Sequence, residues 1–273
     1  MHNDVETHYT TSGELAAAIA DRLQAAGKDL AKLATADLGT VDEFHIRGRK
    51  ATLELGDSME LANTSRVLDI GSGLGGPART IAETYGCHVT GIDLTAAFCE
   101  AAEAMSGWVG LQDRVTFMQG DATALAFDDD ECDAAMTIHV AMNIPAKDKV
   151  YAHAHRVLKP GGIFAVYDVV QGEGGDVLFP VPWAREPSIS HLATPQEMRS
   201  LLNDAGFSIL REVDSTEESQ SWFEERAAQL ADSGPPPLSF QIFLGDDFGA
   251  MTRNQVRNLT DRRIRTLTYL CRA

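Results

Sequence analysis

Residues 67–76 have the sequence VLDIGSGLGG, and this stretch decides the fold of the chain. Its first half is a short apolar run that predicts a buried strand. Its second half is a glycine loop leading into a predicted helix over about 77–85. Gly71, Gly73 and Gly76 have GxGxxG spacing, which lets the backbone turn tightly and lets a ligand approach the helix N-terminus. Alone, this pattern fits a dinucleotide site or only a tight strand–helix turn.

Strands and helices alternate on both sides of this loop. Predicted strands cover about 66–70, 88–93, 115–118, 134–138, 163–170, 207–213 and 264–270. Predicted helices cover about 12–37 (one or two helices), 49–61, 77–85, 95–106, 146–157, 195–205, 217–232 and 246–260. This alternation predicts βαβ units around a parallel sheet that is buried on both faces. Residues 171–194 are rich in glycine and proline and predict an irregular binding loop or lid.

The composition limits the classes of partner that the chain is expected to bind. The 273 residues include 23 Lys and Arg against 40 Asp and Glu, a net charge of −17. This balance disfavours binding to nucleic acid or to an anionic membrane, since both require a cationic surface. The chain shows no signal peptide, no apolar membrane span and no paired-cysteine motif, and we expect a cytoplasmic protein with reduced thiols. His153 and His155 would point to different sides of a helix, so we expect no metal site.

Three acidic residues distinguish between possible cofactors. Asp69 lies two residues before Gly71, Asp93 ends the next strand, and Asp121 follows the third strand. A carboxylate at Asp69 suits an ammonium group better than a pyrophosphate. Asp93 can accept hydrogen bonds from two ribose hydroxyls, and Asp121 can accept one from the exocyclic amine of adenine. Together they fit S-adenosylmethionine better than NAD.

Four ordered motifs carry a family resemblance. Residues 67–79, 89–94, 120–122 and 156–162 resemble those of class I S-adenosylmethionine-dependent methyltransferases. The resemblance implies an α/β fold with a seven-stranded Rossmann-like sheet of order 3-2-1-4-5-7-6, its last strand antiparallel, and a helical cap. It also implies a set of cofactor contacts. These are Asp69, Gly71, Gly73, Asp93, Leu94, Asp121, Ala122 and His139.

Finer features resemble the small-molecule branch that includes sarcosine/dimethylglycine and phosphoethanolamine N-methyltransferases. They lie in residues 44–52, 73–79 and 139–144. We therefore expect methyl transfer to a small molecule, most readily an amine nitrogen, with oxygen, sulfur or carbon acceptors as the alternative. Because methyl transfer is an in-line displacement, the protein mainly positions the acceptor and excludes water.

The same segments supply the predicted catalytic and substrate-binding residues. His139 and His45 are the predicted catalytic groups. The predicted substrate contacts are Met142, Asn143, Arg47 and Trp183. Each has a simpler alternative: a capped loop residue for His139, core packing for Met142, a solvated surface turn for the segment of His45 and Arg47, and a loop anchor for Trp183.

We expect a helical cap over residues 1–62 and a methyltransferase core over 63–273. The insertions 171–194 and 217–260 would shape the substrate pocket. A small-molecule substrate and a homodimer are the expected partners. Two other functions compete with methyl transfer: a nucleotide-dependent oxidoreductase and a non-catalytic binding module. The acids and the lysine-proline-glycine-glycine turn at 159–162 disfavour the first, and the retained glycines and Asp93 disfavour the second.

Overall fold

The computed structural model describes residues 15–234 and 236–273. A capping-box pattern over 11–14, and Pro235 of the predicted break at 235–237, lie outside the described residues. The strands are β1 (Arg66–Ile70), β2 (His88–Asp93), β3 (Val115–Gln119), β4 (Cys132–Ile138), β5 (Leu158–Gln171), β6 (Ser208–Asp214) and β7 (Ile264–Arg272).

Helices flank the sheet on both faces. Within the described residues they are α1 (Leu15–Ala25), α2 (Thr35–Asp42), α3 (Gly48–Ser58), α4 (Gly76–Tyr85), α5 (Ala96–Trp108), α6 (Lys147–Val157), α7 (Pro195–Asp204), α8 (Thr216–Ser233), α9 (Gln241–Leu244) and α10 (Phe248–Thr260). Single 3₁₀ turns lie at Leu30–Lys32, Ala141–Asn143, Pro187–Ile189 and Gly245–Asp247.

The sheet has the order β3-β2-β1-β4-β5-β7-β6, which confirms the predicted topology. Strands β1 to β5 are parallel, and β7 is antiparallel to both of its neighbours, β5 and β6. In register, Asp69 lies opposite Gly91 and Asp93 opposite Gln119. The carboxyl ends of the central parallel strands therefore meet at one edge, where ligands bind in open α/β sheets.

Several boundaries differ from the predictions, and α3, for example, ends at Ser58 rather than at 61. The helical pattern over 12–37 is divided into α1, a 3₁₀ turn and the start of α2, because Gly27 adopts a positive φ of 77° that ends the first helix. Strand β5 begins at Leu158 rather than 163, since Leu158 already pairs with Cys132. The predicted irregular loop over 171–194 is confirmed, apart from one isolated bridge and the 3₁₀ turn.

Apolar clusters lie on each face of the sheet. One packs α6 and α7 against β4, β5 and β7, and the other packs α3 and α4 against β1 and β2. A third cluster joins α1 and α5 to α9 through Ile19, Met105 and Phe243. Of the helices that precede β1, α3 therefore packs on a face of the sheet, whereas α1 packs on α5 and α9. In the described part of the chain, no helix combines the length and apolarity needed to cross a membrane.

Candidate cofactor and substrate site

The glycine loop is fixed to the end of β2 by backbone hydrogen bonds. The amides of Gly71 and Ser72 both donate to the carbonyl of Ile92, at 2.8 Å. Gly71 has a φ of 78°, and a Cβ there would lie 2.4 Å from the side chain of Val140. Only glycine meets both requirements. At Gly73, by contrast, a Cβ would meet no atom within 4 Å, so the loop faces open space there.

That space is a cavity of about 500 Å³ at the carboxyl edge of the sheet. It is lined by nine of the predicted site residues: His45, Gly71, Gly73, Asp93, Leu94, Asp121, Ala122, His139 and Asn143. Asp69, Arg47, Met142 and Trp183 are not among its lining residues. The structure thus brings together most of the predicted cofactor contacts and fewer of the predicted substrate contacts.

Asp69 has an unsatisfied carboxylate. Its side chain is buried, and in the described part of the chain Oδ2 has no hydrogen-bond partner. Burial, followed by repulsion from Asp93 and Glu43, raises the pKa of Asp69 to about 8. A buried carboxylate without a partner is unfavourable unless a cation or donor approaches it. This residue therefore fits the α-ammonium group of S-adenosylmethionine.

Asp93 is held in place by the loop that it supports. Its Oδ2 accepts from the amide of Gly73 at 2.8 Å, and its Oδ1 accepts from the amide of Thr95 at 2.9 Å. Burial raises the pKa of Asp93, while these hydrogen bonds oppose that shift. Each carboxylate oxygen can accept more than one hydrogen bond, so both oxygens fit ribose hydroxyls. Asp121 is oriented by Thr123, whose amide and hydroxyl donate to its Oδ1 at 2.8 and 2.7 Å.

His139 lies immediately after β4 with an unusual backbone. Its φ is 54°, and its amide donates to the carbonyl of Tyr167 at 2.8 Å. The His139 ring centroid lies 4.8 Å from that of Tyr167 and 6.0 Å from that of His45, and its Nε2 is buried without a partner. Burial, followed by repulsion from His45, lowers the pKa of His139 well below 6.5. The imidazole is therefore neutral at physiological pH.

His45 comes from the segment between α2 and α3. Its Nε2 lies 3.0 Å from the carbonyl oxygen of Gly48 and 3.2 Å from Thr52 Oγ1. Because a carbonyl only accepts, Nε2 carries the proton and Nδ1 keeps the lone pair. Burial lowers the pKa of His45 to about 4, against the opposing effect of the Gly48 hydrogen bond. The cavity thus contains two neutral imidazoles.

Arg47 and Trp183 are engaged away from the cavity. Arg47 is buried at the start of α3 and forms an ion pair with Glu54. Trp183 is only 1% exposed, and its Nε1 donates to Ser190 Oγ at 3.0 Å. Asn143 Nδ2 donates to the carbonyl of Trp183 at 2.7 Å. This geometry corresponds to the loop-anchor alternative for Trp183. Arg47 does not line the cavity as a substrate contact, nor is it solvated as in the alternative, because it pairs with the half-exposed Glu54.

Met142 packs in an apolar cluster rather than on the cavity wall. The cluster includes Ile46 and Trp183, and the Met142 carbonyl accepts from the amide of His191 at 2.7 Å. This placement agrees with the core-packing alternative for Met142. The 171–194 loop therefore packs against the segment that follows β4.

Several lining residues are missing from the sequence predictions. Asp42, Phe44, Ser72 and Phe98 all line the cavity. Phe44 packs edge-on to Phe243 of α9, with ring centroids 5.1 Å apart. No local spacing connects these residues, because they are brought together by tertiary packing. The one available signal was the density of functional groups between α2 and α3.

Comparisons with known proteins agree with this geometry. A model of the family described as "Methyltransferase domain" matches residues 68–166. Sterol 24-C-methyltransferase ERG6B from Gibberella zeae is 42% identical over 103 residues, which are 38% of this chain and 27% of that protein. The chain therefore spans about a quarter of the length of this relative.

Two solved structures extend the likeness to most of the chain. The [4+2]-cyclase SpnF is 26% identical, with a TM-score of 0.65 over 82% of this chain and 80% of that one. Phosphoethanolamine N-methyltransferase 2 from Haemonchus contortus, solved with S-adenosyl-L-methionine, is 19% identical, with a TM-score of 0.71 over 85% of this chain and 54% of that one.

Residues 68–166 thus match a methyltransferase domain, and most of the chain shares the fold of a methyltransferase solved with S-adenosyl-L-methionine. These matches support the predicted cofactor, S-adenosylmethionine. The expected amine branch is supported only at the level of the fold, because the N-methyltransferase structure shares 19% identity. Sterol 24-C-methyltransferases are among the curated relatives that match part of the chain, at 42% and 31% identity.

Proposed function

We propose that this protein transfers the methyl group of S-adenosylmethionine to a carbon atom of an apolar small molecule. The observation that carries the proposal is the pair of neutral imidazoles, His45 and His139, on the wall of the cofactor cavity. Such groups are weak bases in an environment from which water is largely excluded. They suit an acceptor that loses its proton readily once it has been methylated.

The cofactor is held through its polar groups by the sheet edge. Asp69 would bind the α-ammonium, Asp93 the ribose hydroxyls and Asp121 the adenine amine. Gly71 and Gly73 allow close approach to the loop. When bound, the cofactor supplies an electrophilic methyl group, and the protein aligns the acceptor with it.

Carbon methylation of an alkene balances as follows. A bond forms between an alkene carbon and the methyl group while the carbon–sulfur bond breaks, and the acceptor becomes a carbocation. A neighbouring carbon then loses a proton, and the double bond is restored. We assign the acceptance of that proton to the imidazole of His139. A carbocation is a strong acid, so even an imidazole of low pKa can accept its proton.

The same pKa argues against an ordinary amine acceptor. An alkylammonium has a pKa near 10, about that of lysine, and a buried imidazole of depressed pKa is a poor base for it. Charged acceptors such as sarcosine or phosphoethanolamine also need cationic partners. Among the described residues that line the cavity, Lys149 is the only Lys or Arg. Arg185, in the 171–194 loop, is not a lining residue and forms an ion pair with Asp247.

Apolar walls complete the acceptor side. Phe44 and Phe98 line the cavity and pack against Phe243, at ring-centroid distances of 5.1 and 5.6 Å. These rings exclude water and favour an apolar acceptor by the hydrophobic effect. Sterol 24-C-methyltransferases are among the relatives of the cofactor-binding part, which is consistent with such an acceptor.

The test is a panel of acceptors with methyl-labelled S-adenosylmethionine. The panel contains a sterol with a side-chain double bond, squalene, sarcosine and phosphoethanolamine. Label on a carbon of an apolar acceptor is the expected result. Label on nitrogen alone would overturn the proposal. Because one similar structure is a [4+2]-cyclase, unlabelled products are also followed by mass spectrometry, and rearrangement without methyl transfer would favour that class of reaction.

A homodimer, a cytoplasmic location and the cap boundary at residue 62 are further proposals. Light scattering after size-exclusion chromatography tests the oligomeric state. A dimer at micromolar concentration is the expected outcome.

A further inference from the structure

Asp42 lines the cavity and has an unsatisfied carboxylate oxygen. It is the last residue of α2, is 4% exposed and lines the cavity together with Ser72 and Gly73. Its Oδ2 accepts from Arg79 Nη2 at 2.7 Å. Its Oδ1 is buried and has no hydrogen-bond partner among residues 15–234 and 236–273.

The position of Asp42 is fixed by close packing on the glycine loop. A Cβ at Gly76 would lie 2.4 Å from the Asp42 carbonyl oxygen and 2.9 Å from its Cγ. Any larger residue at Gly76 would push this end of α2 away. The carboxylate therefore belongs to the same rigid unit as the cofactor loop, although it precedes that loop by about thirty residues.

Arg79 donates a hydrogen bond to only one oxygen, Oδ2, of the Asp42 carboxylate. Its Nη1 donates to the carbonyl of Ala102 at 3.0 Å and to Ser106 Oγ at 3.1 Å, and its Nη2 also donates to the carbonyl of Leu74. Both terminal nitrogens of the guanidinium are thus already engaged. Oδ1 of Asp42 still lacks a donor, and a buried acceptor without a donor is unfavourable.

The charges around Asp42 are compatible with the approach of a cation. Arg79 and Arg49 attract the carboxylate of Asp42, and Glu43 repels it. Burial is the largest influence and raises the pKa of Asp42 to about 6. A donor carrying positive charge would satisfy Oδ1 and offset the buried negative charge.

We propose that Asp42 Oδ1 accepts a hydrogen bond from the α-ammonium group of S-adenosylmethionine. The inference rests on the cofactor assignment and extends it to a residue of the predicted cap. The ribose hydroxyls and the adenine amine already have hydrogen-bond acceptors in Asp93 and Asp121. The ammonium has three N–H bonds and can engage both Asp42 and Asp69. A residue that precedes the core would then take part in recognising the amino-acid end of the cofactor.

The experiment compares two ligands by titration calorimetry. S-adenosylhomocysteine contains the amino-acid end, whereas 5′-methylthioadenosine has the same adenosine and a thioether without it. Asp42→Asn should weaken S-adenosylhomocysteine binding about tenfold, because a charged acceptor is replaced by a neutral one. Binding of 5′-methylthioadenosine should change less than about twofold.

Two further variants serve as controls. Asp37→Asn alters a partly exposed carboxylate on the same helix and should change neither affinity. Asp93→Asn should weaken both ligands, because both contain the ribose. Equal weakening of both ligands by Asp42→Asn would overturn the proposal, since Asp42 would then act through the loop or the ribose. Unchanged S-adenosylhomocysteine binding would also overturn it.

A second measurement does not depend on the folding of the Asp42 variant. S-adenosylhomocysteine and its deaminated analogue, which keeps the carboxylate, are compared on the wild type and on Asp69→Asn. If Asp42 shares the ammonium, part of the preference for S-adenosylhomocysteine persists in Asp69→Asn. Complete loss of that preference would assign the ammonium to Asp69 alone. If the wild type binds neither S-adenosylhomocysteine nor 5′-methylthioadenosine, the cofactor assignment itself fails.

Discussion

The two walls of the cavity differ in their chemistry. The cofactor wall has the acids Asp93 and Asp121, both oriented by hydrogen bonds from backbone amides, and Asp69 precedes the glycine loop of this wall. The acceptor wall has the imidazoles of His45 and His139, which are neutral, together with phenylalanine rings. One wall thus recognises a fixed ligand through charge and hydrogen bonds. The other provides a dry surface against which acceptors of varied shape can lie.

The largest expected effect comes from the cofactor wall. Asp93→Ala removes the charged acceptor for two ribose hydroxyls and leaves the amides of Gly73 and Thr95 without their partner. We expect S-adenosylhomocysteine affinity to fall on the order of 10³-fold, at about 1.5–3 kcal/mol for each charged hydrogen bond. Calorimetry measures it, with exposed Asp113→Ala as the control. An affinity within threefold of the wild type would separate Asp93 from cofactor binding.

This wall is also the part that local sequence predicts well. Asp69, Gly71 and Gly73 belong to one strand–loop unit, and Asp93 ends the next strand. Short-range spacing alone therefore places them at one edge of a parallel sheet. The sheet order follows from the family resemblance, and the strand bounds from apolar runs. The start of β5 at Leu158 was missed because a Pro-Gly-Gly sequence normally interrupts a strand.

The acceptor wall could be predicted only in part. His45 and His139 were identified from motifs, but their contact depends on the packing of the α2–α3 segment over the sheet. Asp42 was not predicted, because the local sequence does not distinguish a buried acid at the end of a helix from a solvent-exposed one. Trp183 and Arg47 were predicted as substrate contacts, but neither lines the cavity. Trp183 is buried by tertiary packing, and Arg47 forms an ion pair with Glu54.

Substitution of His139 tests whether the neutral imidazoles of the acceptor wall take part in catalysis. On an acceptor found with the panel, His139→Ala should lower kcat about 10²-fold, within the usual range for loss of a general base. S-adenosylhomocysteine affinity should change less than about threefold, since the acids of the cofactor wall remain. His88→Ala, at an exposed position of β2, is the matched control. Unchanged turnover would mean that the imidazole serves only to shape the wall.

Asp69 links cofactor binding to stability. Burial raises its pKa to about 8 in the folded protein, well above the ordinary value of 3.8, so the folded state retains a proton that the unfolded state loses. The free energy of unfolding therefore falls as pH rises between these values. Asp69→Asn should raise Tm by about 2–4 °C per kcal/mol recovered, more at pH 8.5 than at pH 5.

The same variant should bind S-adenosylhomocysteine about tenfold more weakly, because the ammonium loses a charged partner. Thermal melts at the two pH values and calorimetry measure the two effects separately. A lower Tm together with unchanged affinity would indicate that Asp69 is a structural residue and not a ligand for the cofactor.

Trp183 should give the smallest effect, and it tests how far the acceptor wall extends. Trp183→Phe keeps an aromatic ring but loses the Nε1 donor to Ser190, while Asn143 can still donate to the carbonyl of residue 183. We expect Tm to fall by a few degrees, for a loss of about 1–2 kcal/mol, with kcat and KM within about twofold of the wild type. Ser190→Ala removes the same hydrogen bond from the other side and should give a similar Tm. A selective rise in KM for a methylammonium acceptor would instead place the indole in the substrate pocket, and the neutral wall would then include a site for a cation.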